Sequence, residues 1–390
     1  MAGIARGLQR VHLAAVEDTA AQLTFWAPPG EIELRRPRRS ETLCHPGGPG
    51  AVELDGLTPA TTVEVVLRRE TVTATIAVRT LTTPPGAALC RVATVSDLHL
   101  GAESHGIAGG LRKRFPRGDH GGSLLGDPAP VRCARGALVA AGRWGAEALV
   151  GKGDLTHHGR PEEWQQLGRL LADHAGSMTC VGVPGNHDKP LIDDRGRLPA
   201  MRDAGLRTAD VEILDLDGAR IIAFDSAEAG HRLGTVARHA ATVVDAAAEA
   251  RRDGRAVLVF LHHPLERSPV RKPHTRGVAW SHGRRFAADL ARANPRALLS
   301  AGHTHRNRRR DIGTVVHTEV GSTKDWPGVW AGYAVHEGGI RQVVRRITAA
   351  DAIGWIDDSR WAAAGLWWPY SPGRLADRCF THDWPTGPGR

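Results

Sequence analysis

Cysteine is scarce and scattered in this chain of 390 residues: five occur, at positions 44, 90, 133, 180 and 379. No two form a CxxC pair and the count is odd, which argues against a disulfide framework or a zinc ribbon. Free thiols in a reducing cytoplasm are the expectation. Tyr, Met and Phe are also sparse, at 2, 3 and 6. No run reaches the roughly 18 apolar residues that a membrane-spanning helix needs. The opening MAGIARGLQRVHLAAVEDT lacks the apolar core and small-residue cleavage site of a secretory leader, so none is expected.

What is present is globular in character. Hydrophobic residues make up 41% and charged residues 24%, enough apolar content to pack a sizeable core. At roughly 150 residues per domain, two or three domains are expected. A net charge of +9 with a pI near 9.9 admits anionic partners such as phosphate esters, nucleic acid or lipid headgroups. Most of the excess is Arg, however, which also follows from an Arg-, Ala- and Gly-rich composition. The 20 His residues are the first pointer to chemistry, because neutral imidazole is the commonest metal ligand.

Residues 1–83 alternate apolar and polar positions in short runs (VHLAAV, AQLTFWA, EIELRR, AVEL, TTVEVVLRR, TATIAVRTL) separated by APPG and HPGGPG. This predicts a small antiparallel sandwich. Residues 84–89, opening Pro84-Pro85-Gly86, read as a linker. From Cys90 to about 348, apolar runs of strand length (RVATVS, AEALV, MTCVGV, RIIAFDS, AVLVFL, RALLSA) alternate with helical stretches. The first helix is PEEWQQLGRLLADHAG, with Pro161 in its first turn and Gly176 after it; the second is TVARHAATVVDAAAEARRDG. An α/β core follows. Residues 102–131 are Gly-rich, basic and non-periodic, and read as an insertion. Residues 349–390 form a Trp-rich tail, weighed as a packing strap over a base-stacking platform.

Five short motifs stand at or just beyond predicted strand ends: Asp97-Leu98-His99, Gly153-Asp154, Gly185-Asn186-His187-Asp188, His262-His263-Pro264 and Gly302-His303-Thr304-His305. In open α/β sheets that edge carries the site. In Asp-x-His and His-x-His the ligands are i and i+2, which share one face of an extended backbone. Mixed O and N donors without thiolate suit Fe, Mn or Zn. Two such ions about 3.5–4 Å apart form the clamp used for in-line attack at phosphorus. Each motif alone is weak; their ordered combination is not.

This set, D-x-H, GD, GNH[DE], H, GH-x-H, resembles the calcineurin-like metallophosphoesterase superfamily, and SDLHL, GDLTHHG, GNHD, HHP and GHTH look most like its class III cyclic-nucleotide phosphodiesterases. The resemblance spans about residues 90–347 and implies a two-sheet α/β sandwich flanked by helices. It implies Asp97, His99 and His305 on one metal, Asp154 bridging, and Asn186, His262 and His303 on the other. His187 would act as proton donor or charge stabiliser with Asp188 orienting it, and His263 would lie outside the ligand set. The implied reaction is attack on a phosphate ester by a hydroxide shared between the ions. In purple acid phosphatases a Tyr ligand follows the GD aspartate by three residues; His157 stands there. The stretch LDGLTPATTVEVVLRRETVTATIAVRTLTTPP resembles the second half of a fibronectin type III domain, although Ala60 replaces its Gly and Val63 its corner Tyr.

Small-molecule phosphodiesters, cyclic nucleotides among them, are the leading substrate expectation. A DNA or RNA nuclease and a phosphomonoesterase are the alternatives, and a non-enzymatic scaffold ranks last. His157 and His158 are expected at the pocket rim, with His158 a weak substrate contact. Arg112, Lys113, Arg114 and Arg117, and likewise Arg306, Arg308, Arg309 and Arg310, are weighed as a grip on anionic substrate against solvated loops. Asp225 is expected near the site without an assigned role.

Overall fold

The computed structural model describes residues 7–37, 39–102, 127–188, 197–228, 233–270, 277–362 and 365–385. The basic run 112–117 and most of the expected insertion lie outside these residues.

Two six-stranded sheets form the body. In the first, Thr179–Val183, Ala148–Lys152 and Ala88–Val95 run parallel, and Val329–His336, Gly339–Arg346 and Phe380–Asp383 complete the sheet antiparallel. In the second, Ala219–Phe224, Ala256–Phe260, Ala297–Ala301 and Val315–Glu319 are parallel neighbours, edged by the antiparallel strands Val211–Leu216 and Arg308–Ile312.

These strands are apolar on both faces because both faces are covered. Along Ala256–Phe260, Leu258 and Phe260 enter a core shared with Val92, Val150 and Val181 of the other sheet. Val257 and Val259 pack outward against Val243, Phe286 and Leu290 of the helices Ala240–Arg252 and Trp280–Ala293. On the opposite side, helices Ala129–Arg143 and Pro161–His174 cover the first sheet through Ala137, Leu138, Leu167 and Leu170. The result is the expected α/β sandwich flanked by helices.

Helix Pro161–His174 keeps its predicted start, and the second helix begins at Ala240 rather than Thr235. Helix Trp280–Ala293 is absent from the sequence reading even though Gly283, Phe286, Ala287 and Leu290 form its buried stripe. The strand pattern of residues 9–79 holds: a three-stranded and a four-stranded antiparallel sheet enclose Leu23, Ile32, Leu34, Leu54, Val65 and Leu67. The four-stranded sheet includes Arg39–His45, which the sequence reading left out.

This β unit is tied to the body by charge. Glu17, only 4% exposed, accepts from Arg341 (3.0 Å), Arg345 (2.7 Å) and the Trp144 indole (3.1 Å). The tail is integral too: Phe380–Asp383 adds the edge strand, and Trp384 enters the core between the sheets. Trp367 packs into the helix-covered core, while Trp361 and Trp368 remain exposed. No helix among the described residues is long and apolar enough to cross a membrane.

Candidate metal centre

All five motifs leave their strands at the same edge. Ala88–Val95, Ala148–Lys152, Thr179–Val183, Ala256–Phe260 and Ala297–Ala301 end within three residues of Asp97, Asp154, Asn186, His262 and His303 respectively. The i, i+2 pairs do not lie on extended backbone, contrary to the expectation. Asp97, His99, Asp154, His303 and His305 have φ of 54°, 45°, 50°, 67° and 49°. Left-handed conformations at non-glycine residues are costly and gather where the surroundings dictate a side chain's aim. Close loop contact accompanies them here. A Cβ on Gly185 would overlap the backbone and carboxylate of Asp154, and one on Gly302 would overlap the Ser96 hydroxyl.

The side chains converge. Ligand-capable atoms of Asp97, His99 and His305 lie within 4.8 Å of one another, as do those of Asp97, Asp154 and His262, those of His262, His263 and His303, and those of His99, His157 and His187. His262 Nε2 lies 3.3 Å from Asp154 Oδ2, His305 Nε2 lies 3.4 Å from Asp97 Oδ1, and His99 Nε2 lies 3.8 Å from Asp154 Oδ2. The His303 ring nitrogen Nδ1 is 3.2 Å from His262 Nε2. Asp97, Asp154 and His262 are buried.

The electrostatics show what the pocket is short of. Burial alone would raise both carboxyls, yet His305 holds Asp97 below its ordinary range and His262 holds Asp154 well below. Against the effect of burial, Asp154 and Asp97 push His262 up to about 9, and Asp97 with Asp325 pushes His305 up to about 9. Burial, then the charge of His262, drives His303 down to about 3. A site that draws protons this strongly onto two imidazoles is a site for cations. Two buried atoms, Asn186 Oδ1 and His303 Nε2, have no hydrogen-bond partner, which is the condition of ligand atoms aimed at an ion. The donor set therefore fits the two-ion centre.

Orienting contacts went unread in the sequence. Asp325 Oδ2 faces His305 Nδ1 at 3.1 Å, and the Lys152 carbonyl faces His262 Nδ1 at 2.8 Å; both fix ring orientation. Ser322 donates to the Asp97 carbonyl at 2.8 Å. The Lys152 ammonium is fully buried, bonds Ser300 Oγ at 2.9 Å, and is lowered by burial to about 7. None of these belongs to a motif; only the sheet order brings them in.

Asp188 requires a correction. Its carboxylate accepts from Leu155 N, Thr156 N, Thr156 Oγ1 and Gly185 N at 3.2, 2.8, 2.8 and 2.8 Å, locking the GD loop to the GNHD loop. It makes no described bond to His187, whose Nδ1 is 3.0 Å from the His157 carbonyl and whose backbone N–H donates to Asp154 Oδ1 at 2.8 Å. The His187 ring stacks on His157 at 5.2 Å and meets His99 edge-on at 4.7 Å. His157 thus lies inside the imidazole cluster, with Nδ1 3.3 Å from that of His99, whereas His158 is at the exposed rim. His263 also sits closer than expected, its ring 4.6 Å from that of His303, with Nδ1 3.1 Å from Ser226 Oγ. Asp225 is buried and accepts from Ala227 N. Arg306 and Arg308 pair with buried Glu319 at 3.0 and 3.7 Å, so this part of the Arg run is committed within the fold.

Residues 90–307 match the family described as Calcineurin-like phosphoesterase. The chain belongs to that family. Its members depend on dinuclear metal centres, in keeping with the clustered His and Asp side chains. Among curated proteins, this phosphoesterase is 28% identical over 168 residues to glycerophosphodiester phosphodiesterase GpdQ of Enterobacter lignolyticus, covering 41% of this chain and 56% of the relative. It is 30% identical over 165 residues to a probable cyclic nucleotide phosphodiesterase of Rhodococcus erythropolis, covering 41% and 51%. The chain thus spans about half the length of the curated relatives it matches. Similar solved structures include a dimetal phosphatase from Danio rerio (14% identity, 68% of this chain, 100% of that one, TM-score 0.48). Another is a purple acid phosphatase from yellow lupin (11% identity, 88% and 73%, TM-score 0.48).

Proposed function

We propose that this phosphoesterase hydrolyses phosphate esters at a two-metal centre, with small-molecule phosphodiesters, cyclic nucleotides among them, as the preferred class. The observation that carries the reading is the pair of ligand clusters, Asp97–His99–His305 and Asp154–His262, joined through Asp97 and Asp154. Asp97, His99 and His305 would hold one ion and Asn186, His262 and His303 the other, with Asp154 between them. The O and N donors favour Fe, Mn or Zn. Ions held there would supply positive charge to the phosphoryl oxygens and a lowered pKa to the attacking water.

The chain's own residues do the rest. With Nδ1–H donating to the His157 carbonyl at 3.0 Å, His187 keeps Nε2 for the reacting groups, where it delivers a proton to the leaving oxygen or stabilises its charge. Asp188 acts one step back, by fixing the two loops that carry Asp154 and His187. His157 replaces the Tyr ligand of purple acid phosphatases. It is lowered to about 4 by burial and then by its His neighbours, so it faces substrate as a neutral ring. A diester substrate is supported by both curated relatives, which are named as phosphodiesterases.

The division into residues 1–83, a linker at 84–89, a phosphoesterase domain at 90–348 and a tail at 349–390 belongs to the same reading. So does the fibronectin III-like character of the first unit, which its two antiparallel sheets support. Five free cysteines, four of them buried, support a cytoplasmic location.

The test is a substrate panel on Mn-loaded protein: bis-aryl phosphodiester, aryl phosphomonoester, cyclic nucleotides and single-stranded DNA, with Asp154→Asn as blank. Turnover of the diesters above the blank is expected. Metal-replete protein that turns over none of them would overturn the reading. Cleavage of DNA that falls steeply with added salt would replace it with the nuclease.

A further inference from the structure

A second, partly open region, remote in sequence from the ligand motifs, collects charge of the opposite sign. Strands Gln9–Val16 and Gly339–Arg346, the loop at Trp326 and the tail border a cavity of about 270 Å³ that opens to the surface. That is just under the roughly 300–1,000 Å³ of ordinary small-molecule pockets. Its polar walls are cationic. Arg346 is 9% exposed, donates through Nε to the Pro327 carbonyl at 2.9 Å, and has no hydrogen-bond partner for Nη2. Arg378 gives its N–H groups to backbone carbonyls, Ala14 at 3.2 Å and Pro372 at 2.8 Å among them, and to no described carboxylate. The His12 imidazole is the third basic group. Burial, followed by the charges of Arg346, Arg10 and Arg378, holds it below its ordinary value. The nearby carboxylate of Asp357 is taken by Arg10 at 3.2 Å and by Arg360 at 2.8 Å. Among the described residues, no acidic side chain lines the cavity.

A buried guanidinium with an open N–H is expensive unless an anion meets it. The remaining walls say what kind of anion. Trp326 and Trp368 line the space, the Trp326 indole N–H reaches the Trp368 carbonyl at 3.4 Å, and the Arg346 guanidinium stacks over Trp326, 4.4 Å from the ring centroid. Flat apolar walls beside a donor fork suit a flat ligand with an acid group on its edge.

We infer that this cavity binds an organic anion with a planar aromatic body, its carboxylate- or sulfonate-like head on Arg346 and its ring between the indoles of Trp326 and Trp368. None of the lining residues is a candidate metal ligand, although Trp326 and Trp368 directly follow Asp325 and Trp367, which contact His305; the proposal does not depend on the reaction assigned to the metal centre.

Isothermal titration of the full chain with 2-naphthoate and 2-naphthalenesulfonate tests this, with 2-naphthol as the neutral ring and acetate as the head without a ring. Both naphthyl anions are expected to saturate one site, and both controls to bind at least about tenfold more weakly. Ala14→Leu, which fills the space and keeps every charge, and Arg346→Gln should each weaken the anions about tenfold or more. Asp154→Asn should leave their binding unchanged. No saturable binding by the wild type, equal binding of 2-naphthol, undiminished affinity in either variant that retains a cooperative melt, or loss of binding in Asp154→Asn would each overturn the assignment. Ala14→Leu keeps the test decisive if Arg346→Gln does not fold.

Discussion

At the metal centre, buried carboxylates sit among imidazoles and raise His262 and His305 to about 9. In the cavity beside Trp326 no described carboxylate is present, and burial with the charges of Arg378 and Arg10 lowers Arg346 to about 10, with Asp357 opposing. Each region holds charge that the protein leaves only partly compensated. The difference lies in how rigidly that charge is held. The metal centre stores left-handed backbone at five candidate ligands and doubles its supports, as where Asp188 takes four hydrogen bonds. The cavity is built from strand, loop and tail residues of distant segments, none of them with left-handed backbone. Strain marks the place where atoms must be aimed at a point; a pocket that receives a flat anion needs shape and sign.

That contrast can be broken most forcefully at Asp154. Asp154→Asn should lose most bound metal and more than about 10²-fold in kcat/KM, beyond the 10–100-fold cost of an outer contact. Metal content by atomic absorption beside steady-state rates checks it; full occupancy would remove Asp154 from the ligand set. His187→Ala separates aim from chemistry: metal is retained and kcat falls on the order of 10². If the ring only pads the site, kcat stays at the wild-type value. Asp325→Asn should weaken metal binding roughly 10–100-fold, because the carboxylate that orients His305 is gone; a competition titration with a chelator reads this.

The mildest effect concerns protons. His262 and His305, raised to about 9, carry protons at neutral pH and must lose them to become ligands. Apparent metal affinity should therefore climb as pH rises toward about 9 and level off above it, with protons released on binding. Calorimetry in buffers of different ionisation enthalpy counts them. Affinity that is flat between pH 6.5 and 9 would contradict the assigned coupling between these rings and Asp97 and Asp154.

Much of the site was readable because its chemistry is written locally. D-x-H, GD, GNHD and GH-x-H each place donors within a few residues of a strand end, and the apolar runs before them announced the strands. What was misread shows the limit of that signal. Asp188 looked like a partner for its neighbour His187, yet the tight loop turns its carboxylate toward Leu155, Thr156 and Gly185. The i, i+2 spacing suggested extended backbone, whereas the ligand residues adopt left-handed turns beside the close packing of Gly302 on Ser96 and of Gly185 on Asp154. Helix Trp280–Ala293 carries its signal in its own stripe of Phe286, Ala287 and Leu290.

The amino-acid order alone settled the alternation of strands and helices, the chemical character of the donors and the family, because those follow from residue type and short spacing. Folding decided which groups became neighbours: Asp325 beside His305, the Lys152 carbonyl beside His262, and Arg346 with Arg378 and His12 around one space. These residues lie tens to hundreds of positions apart. No local pattern encodes such a meeting, because strand order and the docking of the first β unit and the tail onto the body create it.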